Sequence, residues 1–125
     1  MSQSIFLSYV YEDRKHRDNI RRWAKDGLLG ANVVTTTEAG DLRPQGQAAI
    51  RDHLRPLIRG AAAVVCLVGQ DTHNHQWVKY ELDAATSLNK PIILARIPNT
   101  SGPAPEGHRH HTIHSLDPST IRNLL

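Results

Sequence analysis

Two short stretches of this chain carry residue types that can do chemistry. In Gln76-Trp77-Val78-Lys79-Tyr80-Glu81-Leu82, Trp77 and Glu81 stand four apart, which puts both on one face of a helix. In Ser4-Ile5-Phe6-Leu7-Ser8-Tyr9, Ser8 and Tyr9 close an apolar run. A carboxylate can act as a base or oppose a positive charge. A serine hydroxyl can bind a sugar or phosphate oxygen, and an aromatic ring can stack on a base. Each residue also has a plainer reading. Glu81 can be a solvated helix glutamate, Trp77 a core anchor, and Ser8 a cap for the next helix.

Other reactive side chains carry less. His108, His110, His111 and His114 cluster, and His73 and His75 flank Asn74. Imidazoles in that number can bind zinc or nickel. The His108–His114 cluster lies without carboxylate or thiolate company in a Gly/Pro-bordered segment, so adventitious binding is expected and no built metal site; His73 and His75 lie closer to the expected pocket. Arg51, Arg55 and Arg59 form a basic stripe that can meet a pyrophosphate or an acidic partner, or simply face solvent. The charges from Glu12 to Asp26 read as a solvated helix face. Cys66, between Val65 and Leu67, reads as a buried small apolar residue. No strand is followed by Gly-x-Gly-x-x-Gly, and there is no Walker A loop. A receiver domain needs an acceptor aspartate where this chain has Gly69-Gln70.

The elements that must position these residues alternate in type. Residues 4–9, 32–37, 61–68 and 91–97 read as strands. Ile20, Trp23, Ala24 and Leu28 form a helical stripe, ended by Gly27 and Gly30. Ile50, Leu54, Leu57 and Ile58 form another, with a kink or break expected near Arg55 because Pro56 lies inside it. A third helix runs from Trp77 to about Leu88, stopped by Asn89-Lys90-Pro91. Strands apolar throughout and separated by helices predict an α/β fold with a mainly parallel sheet of four to five strands, covered on both faces. Ligands then bind beyond the carboxyl ends of the strands. After residue 98 the pattern weakens to a Gly/Pro loop, a weak strand near Thr112-Ile113, and a short helix from Pro118 capped by Asp117 or Ser115.

The chain has 125 residues, of which 39% are hydrophobic and 22% charged. That predicts one domain over 1–125, with a core at about 4–98 and a less regular segment at 99–125. Fifteen Lys plus Arg against twelve Asp plus Glu give +3, too mild for a nucleic-acid binder. One cysteine excludes an internal disulfide and a cysteine-based zinc site. The longest apolar run, 61–68, is too short for a bilayer. The first residues lack a basic region followed by an apolar one. A cytoplasmic domain is expected.

Ile5-Phe6-Leu7-Ser8-Tyr9, Glu12-Asp13, Val64-Val65-Cys66-Leu67-Val68-Gly69, Gln76 to Leu82, and Lys90-Pro91-Ile92-Ile93 together resemble the TIR-like family. The likeness is to its small stand-alone prokaryotic branch, which includes the TIR proteins of the Thoeris anti-phage system, and it spans about residues 4–98. It implies a flavodoxin-like three-layer sandwich. It also implies cleavage of NAD, as substrate rather than cofactor, at the nicotinamide–ribose bond, with Glu81 in the catalytic position. Ser8, Tyr9, Trp77, Asp41 and Arg43 are the substrate-binding candidates, the last two in a loop that lines the pocket and mediates assembly in TIR domains.

One carboxylate suffices for that reaction. Glycoside hydrolysis usually needs a second carboxyl group to protonate the leaving group. Nicotinamide leaves a cationic pyridinium as a neutral molecule and needs no acid. The ribosyl cation left behind is what a carboxylate stabilises. The product is ADP-ribose or a cyclised or conjugated form, which can serve as a second messenger. The implied partners are further copies of the chain, in a TIR–TIR assembly that completes the site, and a downstream effector protein; neither nucleic acid nor membrane is expected. The competing expectation is a non-catalytic TIR interaction module.

Overall fold

Ala63-Val64-Val65-Cys66-Leu67-Val68 has no polar side chain, so a sheet built around it must be covered on both faces. In the computed structural model, which describes residues 3–37 and 54–125, all six are buried. Five strands, β1 (Gln3–Ser8), β2 (Val33–Thr36), β3 (Ala63–Val68), β4 (Ile92–Arg96) and β5 (Ile113–Ser115), form one sheet in the order β2-β1-β3-β4-β5. Every pairing is parallel. The helices are α1 (Arg14–Lys25), a segment at 54–59, α2 (Gln76–Ser87) and α3 (Pro118–Leu124).

Strand alternation sorts the core into two layers. Phe6, Val64, Cys66, Val68 and Leu94 pack with Leu54 and Ile58 and with Val78, Leu82 and Ala85 of α2. Ile5, Leu7, Val65, Leu67, Ile93 and Ala95 pack with Ile20 and Ala24 of α1 and Ile121 of α3. The result is the expected flavodoxin-like three-layer α/β sandwich.

Local chemistry sets the boundaries. Helix α1 ends at Lys25, and Gly27 takes a left-handed φ of 76°, which a side chain would resist. That turn carries Leu28 off the predicted stripe: it is 46% exposed, while Leu29 is buried. Asn89, at φ 57°, closes α2, and the Lys90 N–H donates to the Ala85 carbonyl at 2.8 Å. Residues 54–59 are helical straight through Pro56; the residues on the far side of the predicted kink, with Ile50 and Arg51, lie outside the described ones.

The weak final segment completes the sheet. Ile113 pairs with Leu94. Asp117 is the cap of α3, its carboxylate accepting from the Thr120 N–H and hydroxyl, each at 2.8 Å. Between β4 and β5, residues 97–112 contain no helix and instead strap over α2. Ala104 joins the core, and buried His108 reaches Asp83 Oδ1 through Nε2 at 2.7 Å. Lys79 donates to the other Asp83 oxygen at 2.7 Å. Gly102 lies so close to the exit of β3 that a Cβ there would run into the carbonyls of Gly69 and Gln70.

Two outcomes follow from the strap. Gly102→Ala should destabilise the fold by about 1–3 kcal/mol in chemical denaturation, because backbone cannot yield as a side chain can. Burial pushes the Asp83 carboxyl up, but hydrogen bonds with Lys79 and His108 outweigh this and hold it below its ordinary value. A depressed folded-state value contributes stability above about pH 4 and loses it as pH falls further. Melting temperatures of the wild type and Asp83→Asn should therefore differ at neutral pH and converge below about pH 4.

Candidate active site

In doubly wound sheets the chain reverses its direction of winding at one point, and a crevice opens there beyond the strand ends. Here β1 leads outward to β2, whereas β3 leads the other way to β4 and β5. The switch lies between β1 and β3. Their register sets Ser8, the last residue of β1, beside Cys66.

Helix α2 brings the carboxylate to the same place. Val78, Leu82 and Ala85 bury against the sheet, and Glu81, at the margin of that stripe in helical projection, is carried inward with them. Ser8 Oγ donates to Glu81 Oε1 at 2.8 Å, across 73 residues of sequence. Ser8 is fully buried and Glu81 only 3% exposed. This overturns the two plainer readings: Glu81 is not solvated, and the Ser8 hydroxyl serves the glutamate rather than a helix end. A donor of this kind is needed by a carboxyl oxygen that water cannot reach.

Cys66 shares this environment, a neighbourhood that only the register reveals. Burial pushes its thiol far up, the Glu81 carboxylate adds to the effect, and a hydrogen bond with Ser8 opposes it. The thiol is thus kept protonated, as expected of a buried small residue. The turn that leads from β3 towards α2 is held by Thr72, whose hydroxyl accepts from the Gly69 N–H at 2.7 Å and donates to the Leu67 carbonyl at 3.4 Å.

The other candidates are distributed around this pair. Tyr9 lies on the opposite face of β1, against the α1 layer, where its hydroxyl accepts from Arg17 at 2.6 Å. Trp77 is partly buried against the α2 layer, which fits the core-anchor reading. Asp41 and Arg43 lie outside the described residues. Asp13, assigned above to a solvated face, is half-buried instead; its carboxylate Oδ2 would be 3.0 Å from a Cβ at Gly69. Burial pushes that carboxyl up, His16 and His75 oppose the rise, and Glu12 and Asp71 add to it. Sequence spacing did not single it out, because only the turn after β1 folds it over the end of β3.

The rings of His108 and His111 stack at 5.8 Å. Among the described residues, no group of three or more His, Cys, Asp or Glu is placed to hold a metal ion. A cleft of about 520 Å3 opens at the carboxyl ends of β4 and β5, lined by Arg96, Pro98, Ile113, His114, Ser115 and Leu116. Glu81 is not among its walls. No helix among the described residues is long and apolar enough to cross a membrane.

A family model described as "Thoeris protein ThsB, TIR-like domain" matches residues 6–102. The chain belongs to this TIR-like family. The matched stretch contains Ser8, Cys66, Trp77 and Glu81, and stops before β5. In three dimensions the domain is similar to the TIR domain of the Toll-related receptor TRR-2 from Hydra magnipapillata, with a TM-score of 0.65 over 96% of this chain and 89% of that one. At 16% identity the likeness shows the fold. No curated protein sequence matches the chain.

The burial of Cys66 makes a direct expectation. At pH 8 the native TIR-like domain should react with a thiol reagent at least about a hundredfold more slowly than the same chain in denaturant; equal rates would place the thiol at the surface.

Proposed function

We propose that this TIR-like domain cleaves NAD at the nicotinamide–ribose bond, with Glu81 opposing the ribosyl cation. The observation that carries the reading is the buried Ser8–Glu81 pair at the switch point of the sheet. The C–N bond breaks with its electron pair passing to the pyridinium nitrogen, so nicotinamide departs neutral. Positive charge then develops on the ribose, where a fixed carboxylate in a dry setting is worth far more than in water. Ser8 holds that carboxylate in place and hands it over as a ribose hydroxyl takes its own position. A nucleophile then adds at the anomeric carbon and loses its proton: water gives ADP-ribose, and a group on the same molecule gives a cyclic product.

Trp77, Asp41 and Arg43 are proposed to shape the substrate pocket, and Tyr9, held by Arg17 in the other layer, to border it at the exit of β1. Further copies of the chain are proposed to complete it on activation. Membership of the family that bears the Thoeris name supports a role in anti-phage defence, with the product as a messenger to an effector protein.

A second reading, a non-catalytic assembly module, draws on one observation: a carboxylate only 3% exposed is also what a structural residue looks like. Nicotinamide release from NAD by concentrated protein separates the two. The enzyme reading expects release that falls about 100- to 1000-fold in Glu81→Gln with the fold retained. No release at any concentration, or equal release from the variant, would favour the assembly module.

A further inference from the structure

We propose that the cleft at the carboxyl ends of β4 and β5 is a binding site for a phosphate monoester carried on a nucleoside-sized group. Arg96, the last residue of β4, stands beside Ser115, the last residue of β5, in the parallel register, and His114 precedes Ser115. All three line the cleft. The Arg96 guanidinium offers five N–H donors. Its hydrogen bond among the described residues is a long one, 3.4 Å to Thr100 Oγ1, and it forms no ion pair with any of them. The nearest acid in sequence beyond β5, Asp117, has its carboxylate engaged by Thr120.

A half-buried arginine at a strand end, with no carboxylate partner among the described residues, has a donor fork suited to an anion. Arg96 and Ser115 share a register position and so one face of the sheet, whereas His114 projects to the other. A guanidinium fork beside a hydroxyl supplies donors to more than two oxygens, which suits a phosphate better than a carboxylate. Pro98, Ile113 and Leu116 supply an apolar wall for the sugar or base. A volume of about 520 Å3 is within the range of small-ligand sites. β3 lies between β1, which carries Ser8, and β4, and neither Ser8 nor Glu81 lines this cleft.

The test is titration of the 15N-labelled full chain with AMP, adenosine and acetate, followed by amide shifts. AMP should move the amides of Arg96, His114 and Ser115, with adenosine and acetate each at least about tenfold weaker. Arg96→Gln should weaken AMP at least about tenfold, whereas Glu81→Gln should bind as wild type. Ser115→Ala gives a second variant, expected to weaken AMP several-fold, should Arg96→Gln not fold. No binding at millimolar AMP, equal binding of adenosine, shifts confined to Ser8 and α2, or wild-type affinity in the variant that folds would each overturn the proposal.

Discussion

The constraint on which this structure depends is a strand that is apolar at every position. β3 has no side that water can touch, and fully burying a valine or leucine is worth about 1.5–3 kcal/mol. Both faces must therefore be roofed by helices. Parallel pairing on both edges then requires crossovers, and winding outward to both sides of β3 and β1 creates a reversal between them. The switch point is thus a consequence of how the central strand is buried, and it sets where two strand ends and a helix meet.

At that meeting point lies a buried polar pair in an otherwise apolar layer. A carboxylate almost without exposure is costly unless a donor reaches it. The parallel register ends β1 so that Ser8 is that donor. The same proximity holds Cys66 protonated, because a thiolate beside a carboxylate in a dry setting is doubly disfavoured. Polar chemistry and apolar packing here are one arrangement: the stripe of Val78, Leu82 and Ala85 that anchors α2 is what turns Glu81 inward.

Much of this was legible residue by residue. The unbroken apolar runs of β3 and β4, the helical stripe of α2, the stop at Asn89 and the Asp117 cap are local effects, and each could be read from a few neighbouring residues. Leu28 shows the limit: helical periodicity extended the α1 stripe to it, but Gly27 had already turned the chain and Leu29 took the buried place. The strap at 97–112 was harder still. A segment with no periodicity is packed by single contacts, His108 with Asp83 and Gly102 with the exit of β3, and no local pattern announces such contacts.

The sequence by itself determined the element types, the parallel class of the sheet and the family, because these rest on periodicity, turn residues and motifs confined to short windows. It also supplied Glu81, Ser8 and Trp77 as residues worth following. Only the tertiary structure decided that Ser8 and Glu81 are partners, that Tyr9 faces the other layer, that Asp13 folds over the end of β3, and that Arg96 lines a cleft with no carboxylate paired to it among the described residues. These facts depend on strand register and crossover, which bring together residues dozens of positions apart. Local physical chemistry sets what each segment is; the register sets which of them touch.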